Sequence, residues 1–409
     1  MGKQMIRYQQ ALRIVLKEIK PLPSQRVCLS PALARVLAED VFSDIDNPPL
    51  DNSAMDGYGV KHRDLKGLTR LNPARLRVIG TLQAGQLPEK VVAQKQAIRI
   101  MTGAPIPEGV DAVVPVEDTQ EKDGYVLIYK EIEKKSNIRR KGEDIRAKEK
   151  VLTKGKLIRP AEIGMLAALG YSQVKVIKNP FVGILATGDE LIDIGRRLSF
   201  GKIRNSNSYS LAAGVSKCGG KPILLGIAKD KPEELNLKIK QGLGYDALII
   251  SGGISMGRTD YVRQIIENLG VEIRFVKVAQ RPGQPFAFGM FKHKPIFCLP
   301  GNPVSSLVVF EMYVRPALLK MGGRTNYSPP QVTATIEEEI RVKPGRRYFL
   351  RMKIRKRNNQ YYACLTGPQG SGILKSMVLA DGLLVIPEDI ELVKKGERWP
   401  IILFQAKVC

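Results

Sequence analysis

From Pro180 onward, short apolar runs alternate with longer amphipathic ones, and few folds accept that alternation. Residues 182–186 read as a buried strand ending in Thr187-Gly188-Asp189-Glu190. A helix from about Ser206 runs to the Gly219-Gly220 pair, followed by a strand over 223–228 and a helix over 232–243. A strand over 247–250 comes next, then an amphipathic face of Val262, Ile265, Ile266 and Leu269. A last strand, 295–299, runs into a helix beginning near Pro303. Such succession places helices on the faces of a mainly parallel sheet, so the expected class is a three-layer α/β domain.

A chain of 409 residues is too long for one core, and the flanking patterns divide it further. Tyr8, Leu12, Val15, Leu16 and Ile19 sit at helical spacing until Pro21 and Pro23, and Ser30-Pro31 predicts a short second helix with serine as N-cap. From Asn47 to about Arg140, short apolar runs at 77–79, 97–101, 112–116 and 125–129 are punctuated by Gly, Pro and Asp, the mark of a small β-rich domain. A helix returns at Arg159-Pro160, with Ile163, Leu166 and Ala167 on one face and Gly170 at its end. The expected organisation is a discontinuous helical and mixed domain (1–45 and 142–178) around a β-rich insert (46–141). An α/β domain (179–327) and an all-β, barrel-like domain (328–409) follow, with no helix expected beyond Pro329-Pro330.

Composition removes several function classes. No stretch approaches the ~20 apolar residues a membrane helix needs, and Met1–Met5 leads into a polar segment rather than a secretory one, so a cytoplasmic protein is expected. Five widely separated cysteines (Cys28, Cys218, Cys298, Cys364, Cys409) form neither a disulfide framework nor a zinc pattern. Only His62 and His293 are present, which argues against a histidine-rich metal site or a histidine-based triad. The net charge of +25 points to an anionic partner: nucleic acid, an acidic membrane surface or a phosphorylated small molecule. The alternative is a lysine-rich solvated surface. Basic residues are spread along the chain, with clusters at 139–141 and 351–356, and no RNA-binding aromatic signature accompanies them.

Ligands of open α/β sheets lie beyond the carboxyl ends of the strands, and three glycine-marked turns fall there. They are Thr187-Gly188-Asp189-Glu190, residues 251–260 (SGGISMGRTD) and residues 299–305 (LPGNPVS). Glycines let backbone N–H groups approach an anion, and the following helix dipole favours negative charge. One such turn would simply be a tight turn; three on one edge favour a ligand site, with hydroxyls at Ser251, Ser255 and Ser305. None matches the dinucleotide fingerprint or the lysine-containing P-loop, so nicotinamide and NTPase assignments find no support. Asp189, Glu190, Asp230 and Asp260 stand near the strand ends. Acids at an anion site suit a bridging Mg²⁺, usually held by one or two carboxylates plus phosphates. The plainer alternative is that Asp189 and Asp230 cap helices, Asp230-Lys231-Pro232 being a good N-cap sequence. Residues 51–59 (DNSAMDGYG) and 100–107 (IMTGAPIP) are, by residue chemistry alone, structured loops.

Together these segments resemble the molybdopterin molybdenumtransferase family, MoeA and the corresponding domain of gephyrin. The resemblance is carried by residues 51–58 (DNSAMDGY), 101–109, 113–114, 187–191 (TGDEL), 203–206, 251–253 with 260–261, 285–289 and 299–306 (LPGNPVSS). Residues 345–347 and 370–372 extend it into the last domain, so it covers essentially the whole chain in order.

The resemblance implies a four-domain homodimer whose α/β domain is similar to the molybdopterin adenylyltransferase, MogA. It implies that the cleft is completed by the insert of the other subunit. The implied reaction moves molybdenum from molybdate (or tungstate) to adenylylated molybdopterin, with Mg²⁺ and release of AMP. By position, Asp56, Thr102, Glu190 and Asp260 would be catalytic, and Glu190 and Asp260 would hold the metal. Ser251, Gly252, Gly253, Ser255, Asp230, Arg281, Pro300, Gly301, Asn302 and Ser371 would bind substrate. Three positions depart from the family pattern: Gln284 where lysine is common, Gly59 where alanine is usual, and Gly252–Ser255 against the adenylyltransferases' Gly-Gly-Thr-Gly. Adenylyl transfer onto the pterin is a second hypothesis, and a non-catalytic assembly or RNA-binding scaffold a third. A transient adenylyltransferase partner is expected, with no membrane or nucleic-acid partner.

Overall fold

The alternation beginning at Pro180 folds into a six-stranded sheet in a computed structural model that describes residues 5–69, 71–253 and 261–405. In spatial order the strands are Lys221–Ala228, Phe181–Thr187, Ala247–Ser251, Lys294–Leu299, Ala287–Phe291 and Glu272–Phe275. The first four are parallel; the last two add antiparallel. That antiparallel edge was not expected, because Ala287–Phe291 and Lys294–Leu299 form a hairpin that turns through Lys292 at φ 55° with no helix to announce it.

Alternate residues serve the two faces, as strand geometry requires. Val182, Ile184 and Ile249 pack beneath Leu211, Val215 and Val308; Leu185, Leu248 and Ile250 pack against Leu235, Ile239 and Val262. Each of these side chains is fully or almost fully buried, worth roughly 1.5–3 kcal/mol apiece on an extended-chain reference. The result is a three-layer α/β domain. From Phe181–Thr187 the chain goes to one side, then returns to the other at Ala247–Ser251, which creates a topological switch point. Cross-strand register brings Ala186 opposite Ser251 and Ser251 opposite Leu299, so all three glycine turns leave the same sheet edge.

By contact the chain divides into two units, Met1–Ala38 with Leu157–Pro160 and Gln173–Cys409, and Glu39–Lys156 with Ala161–Ser172. In the first, the helix Tyr8–Glu18 buries Tyr8, Ala11 and Val15 in the α/β core, whereas Leu12 and Leu16 are only half-buried. The second helix expected at Ser30 is a single 3₁₀ turn, Ser30–Ala32, with no side-chain cap, and Ala34 at φ 62° prevents its continuation. A strand pair the sequence did not announce, Ser24–Cys28 with Gln173–Ile177, occupies this region. The helix Pro160–Ala168 forms as expected and ends near Gly170 at φ 79°, but Glu162 and Leu166 are buried while Ala167 is exposed.

The insert forms its own six-stranded sheet. Its order is Ala112–Pro115, Gly57–Val60, Gln96–Ile100, Ala74–Leu82, Tyr125–Ile128 and Thr119–Lys122, with Tyr58, Val60, Leu76, Val114 and Val126 in one core. At the other end of the chain, Arg347–Arg357 pairs with both Gln360–Leu365 and Gly382–Ile386. The remaining pairings, through Gln331–Ile336 and Arg398–Leu403, close a β-barrel around Ala334, Ile336, Met352, Leu384 and Ile401. One correction applies here: a five-residue helix, Leu374–Val378, interrupts the β succession. Among the described residues no helix is long and apolar enough to cross a membrane, and Cys28, Cys218 and Cys364 are free thiols.

Candidate active site

The switch point holds a cavity of about 310 Å³ whose walls include Thr187, Glu190, Asn207, Ser251, Gly301 and Asn302. Thr187 and Ser251 reach it because they end neighbouring parallel strands. Gly252 and Gly253, at φ 96° and 69°, bring the backbone against Thr187, where any Cβ would collide with the Thr187 carbonyl or hydroxyl. The remainder of that turn, residues 254–260, lies outside the described residues, and Ser255 and Asp260 with it.

Asn207 was missed by the sequence reading. Its amide donates to Ser251 Oγ and to the Gly301 carbonyl, each at 2.8 Å, which ties two of the glycine turns together. Asn207 Oδ1 and Thr187 Oγ1 are buried and have no hydrogen-bond partner. Buried polar atoms without partners are costly, and both belong to residues lining the same cavity; a ligand offering a donor would satisfy them.

Glu190 sits on a turn rather than at a helix start, and Asp189 caps no helix. Asp189 instead accepts the Asp230 N–H at 3.3 Å, while the N-cap position before Pro232 falls to Lys231, with no side-chain cap. The capping alternatives for both aspartates are thereby corrected. What the geometry makes of them is a crowd of acids. The Asp230 carboxyl is held above the usual range by desolvation first, then by the charges of Asp189 and Glu190. Among the described residues no three metal-ligating side chains converge tightly enough to hold an ion alone. That donor set fits Mg²⁺ completed by substrate phosphate better than a closed protein cage.

Gly188 makes the turn possible. Its φ is 143°, and a side chain there would run into the Glu190 carboxylate. Gly188→Ala is expected to cost about 1–3 kcal/mol, because the turn needs a positive φ that alanine adopts only under strain. Thermal melts check this, and an unchanged melting temperature would contradict it.

On the third turn, Asn302 donates to Ser371 Oγ at 3.1 Å, and the Val304 N–H at the start of the helix Pro303–Val309 donates to the Ser371 carbonyl at 3.1 Å. Pro300 is in the same turn but is not part of the cavity wall, and Ser305 is buried in that helix. The Gly370-Ser371-Gly372 loop lies between two cavities: Gly372 lines the first, and Gly370 lines a second of about 590 Å³. Arg281, Arg341, Lys343 and Arg351 line this second cavity, and no carboxylate is among its described walls.

Arg351 opens the basic cluster 351–356, and the sequence reading did not single it out from its neighbours. It is fully buried; Nε donates to Ser376 Oγ and Nη2 to the Gly370 carbonyl, each at 3.1 Å, and Nη1 has no partner. Burial lowers its pKa to about 10. Arg351 is thus a buried guanidinium with one unused donor, in a cavity whose charged walls are all cationic.

In the insert, pairing of Gly57 with Ile100 sets Asp56 beside Thr102. The Thr102 N–H and hydroxyl both donate to Asp56 Oδ1 at 2.7 Å. These bonds hold the exposed Asp56 carboxyl below the usual range and keep it ionised. The structure thus gathers Glu190, Asp230, Ser251, Gly252, Gly301, Asn302 and Ser371 around the switch point, places Arg281 in the second cavity, and pairs Asp56 with Thr102 in the other unit.

Residues 183–320, which carry the first cavity, match the family described as "Probable molybdopterin binding domain", so the class of protein is a molybdopterin-handling enzyme. Residues 6–170 match the MoeA N-terminal region (domain I and II), and 333–404 the MoeA C-terminal region (domain IV). The molybdopterin molybdenumtransferase of Staphylococcus aureus is 34% identical over 97% of this chain and 95% of its own; that of Haemophilus influenzae is 35% identical over 96% and 97%. A crystal structure of the molybdopterin biosynthesis MoeA protein from Pyrococcus horikoshii superposes with a TM-score of 0.84 at 32% identity, over 98% of this chain and 100% of that one. The chain belongs to the MoeA family, the molybdopterin molybdenumtransferases of molybdenum cofactor biosynthesis.

Proposed function

We propose that the chain inserts molybdenum from molybdate into the dithiolene of adenylylated molybdopterin and releases AMP. The observation that carries this reading is the pair of cavities on either side of the Gly370–Gly372 loop, one polar with Glu190 and Arg204 in its wall, the other with only cationic charged groups around the buried Arg351. In the first, the glycine turns and the free Thr187 and Asn207 oxygens receive the adenylylated pterin. In the second, Arg281 and Arg351 bind the oxyanion; tungstate, a tetrahedral dianion of nearly equal size, would bind similarly. Glu190, with Asp260, would hold Mg²⁺, which supplies charge neutralisation at the substrate phosphate. Asp56, fixed by Thr102, would complete the site from the second subunit of a homodimer.

The direct test is incubation with adenylylated molybdopterin, Mg²⁺ and molybdate while following AMP. AMP should appear only when an oxyanion is added. Formation of adenylylated pterin from ATP without molybdate would favour adenylyl transfer instead. The shared site has its own test. Asp56→Ala and Glu190→Ala should each be inactive, yet an equimolar mixture allowed to exchange subunits should recover about a quarter of wild-type activity. No recovery in demonstrably mixed dimers would place both residues in one subunit's site.

A further inference from the structure

Two buried polar side chains, Gln280 and Tyr313, stand behind the Arg281 turn. Tyr313 Oη donates to Gln280 Oε1 at 2.5 Å, and Gln280 Nε2 donates to the carbonyls of Pro282 at 3.3 Å and Gly283 at 3.1 Å. Gly283, at φ 91°, leaves no room for more: a Cβ there would come within 2.8 Å of Gln280 Nε2 and 2.7 Å of Val309. We propose that Gln280 and Tyr313 are positioning residues that lock the Arg281-Pro282-Gly283 turn and so fix the Arg281 guanidinium in the oxyanion cavity beside Arg351. This rests on the reading that the cavity takes molybdate.

Packing alone does not call for these polar groups. Tyr313 lies in an aromatic cluster with Phe286 at 4.7 Å and Tyr8 at 5.4 Å between ring centroids, where a phenylalanine would fit equally well. The hydroxyl matters only for what it holds. Both amide hydrogens and the oxygen of Gln280 are used, so its side chain has one satisfied orientation, and a fully satisfied buried network fixes one geometry. Burial keeps the Tyr313 phenol well above its ordinary pKa, so it remains a donor.

Tyr313 reaches Gln280 from the π-helical turn Phe310–Val314, which continues the helix Pro303–Val309 directly from Asn302. Such a turn widens the helix by one residue, and π turns of this kind are frequent at functional sites. One rod therefore begins at the wall of the first cavity, passes behind the cationic turn of the second and continues as the helix Arg315–Met321. The strand Gln280–Arg281 also pairs with Arg347 and Tyr348 of the barrel strand that carries Arg351, which sets the spacing of the two cations. Arg281 is thus held on one side by that strand and on the other by the Tyr313–Gln280 relay.

The experiment is calorimetric titration of the full-length protein with molybdate alone, paired with molybdate KM and kcat in the AMP-release assay. Tyr313→Phe should weaken molybdate binding about fivefold and Gln280→Met about tenfold or more, as expected for losing one or several buried hydrogen bonds. The kcat at saturating molybdate and the KM for adenylylated molybdopterin should stay within about twofold of wild type. Adding Tyr313→Phe to Arg281→Ala should cost nothing further, because the relay acts through Arg281. Unchanged molybdate affinity in Tyr313→Phe, equal losses in kcat and in pterin KM, or additivity with Arg281→Ala would each overturn the proposal. If Arg281→Ala itself binds molybdate like wild type, the oxyanion reading of the cavity fails first and takes the proposal with it.

Discussion

Glu190→Ala is expected to lower Mg²⁺-dependent AMP release by about two to three orders of magnitude while leaving the protein folded. Glu190 sits on an exposed turn whose backbone is fixed without it: the Gly188 N–H donates to the Ala228 carbonyl, and the Ile203 N–H to Glu190's own carbonyl. Removing the carboxylate therefore breaks no core contact. It also removes one of the negative charges that push the Asp230 carboxyl up. A carboxyl with a raised folded pKa opposes folding once pH climbs through that pKa, so easing the crowd adds a little stability at neutral pH. Melting curves should thus be unchanged or slightly improved, with activity lost. Near-wild-type AMP release in a folded Glu190→Ala variant would remove Glu190 from the site.

The split between activity and stability follows from what the sequence made legible. Strand–helix alternation from Pro180 was enough to place a mainly parallel sheet and three glycine turns at one edge, because the 2-residue and 3.6-residue periods differ so plainly. The all-β character of the last domain was legible from its strands and turns, whereas its closure rests on strand pairings such as Arg347–Arg357 with Gly382–Ile386. Two kinds of feature were hidden. Local connections were one: the hairpin at Lys292 and the five-residue helix Leu374–Val378 are too short for a period to emerge. Side-chain relays were the other. Asn207 joins Ser251 to Gly301 across 44 and 94 positions, and Tyr313 joins Gln280 across 33. Nothing in one residue's neighbourhood announces a partner that far away.

Arg351 is the sharpest case. Arg351, Lys353 and Arg355 share one face of a strand by simple alternation, which reads as a solvated basic edge. Lys353 and Arg355 are exposed as that reading requires, but Arg351 is covered, while Tyr348, Leu350, Met352 and Ile354 turn to the barrel core. Whether one member of a basic row is buried depends on the elements that cover it, here the Gly370 loop and the Ser376 turn.

Arg351→Met should therefore separate function from stability in the opposite sense to an ordinary core mutation. A guanidinium whose pKa is lowered by burial to about 10 opposes the folded state by about 3 kcal/mol. The cost is fully present below the folded pKa and disappears only as pH rises well past 10, so it applies in full at neutral pH. Methionine matches the stem and carries no charge. Its substitution forfeits the bonds to Ser376 and the Gly370 carbonyl, worth about 1.5–3 kcal/mol each to a charged donor. The bonds together equal or exceed the relieved charge cost, and the expected change is a loss of about 0–3 kcal/mol, small for a fully buried side chain. Molybdate binding, by contrast, loses its buried cation and should weaken by at least about a hundredfold. Denaturant unfolding and molybdate titration of the same preparation measure both. A folded Arg351→Met protein that still binds molybdate within a few-fold of wild type would show that the guanidinium is structural, and that the second cavity is not where the oxyanion goes.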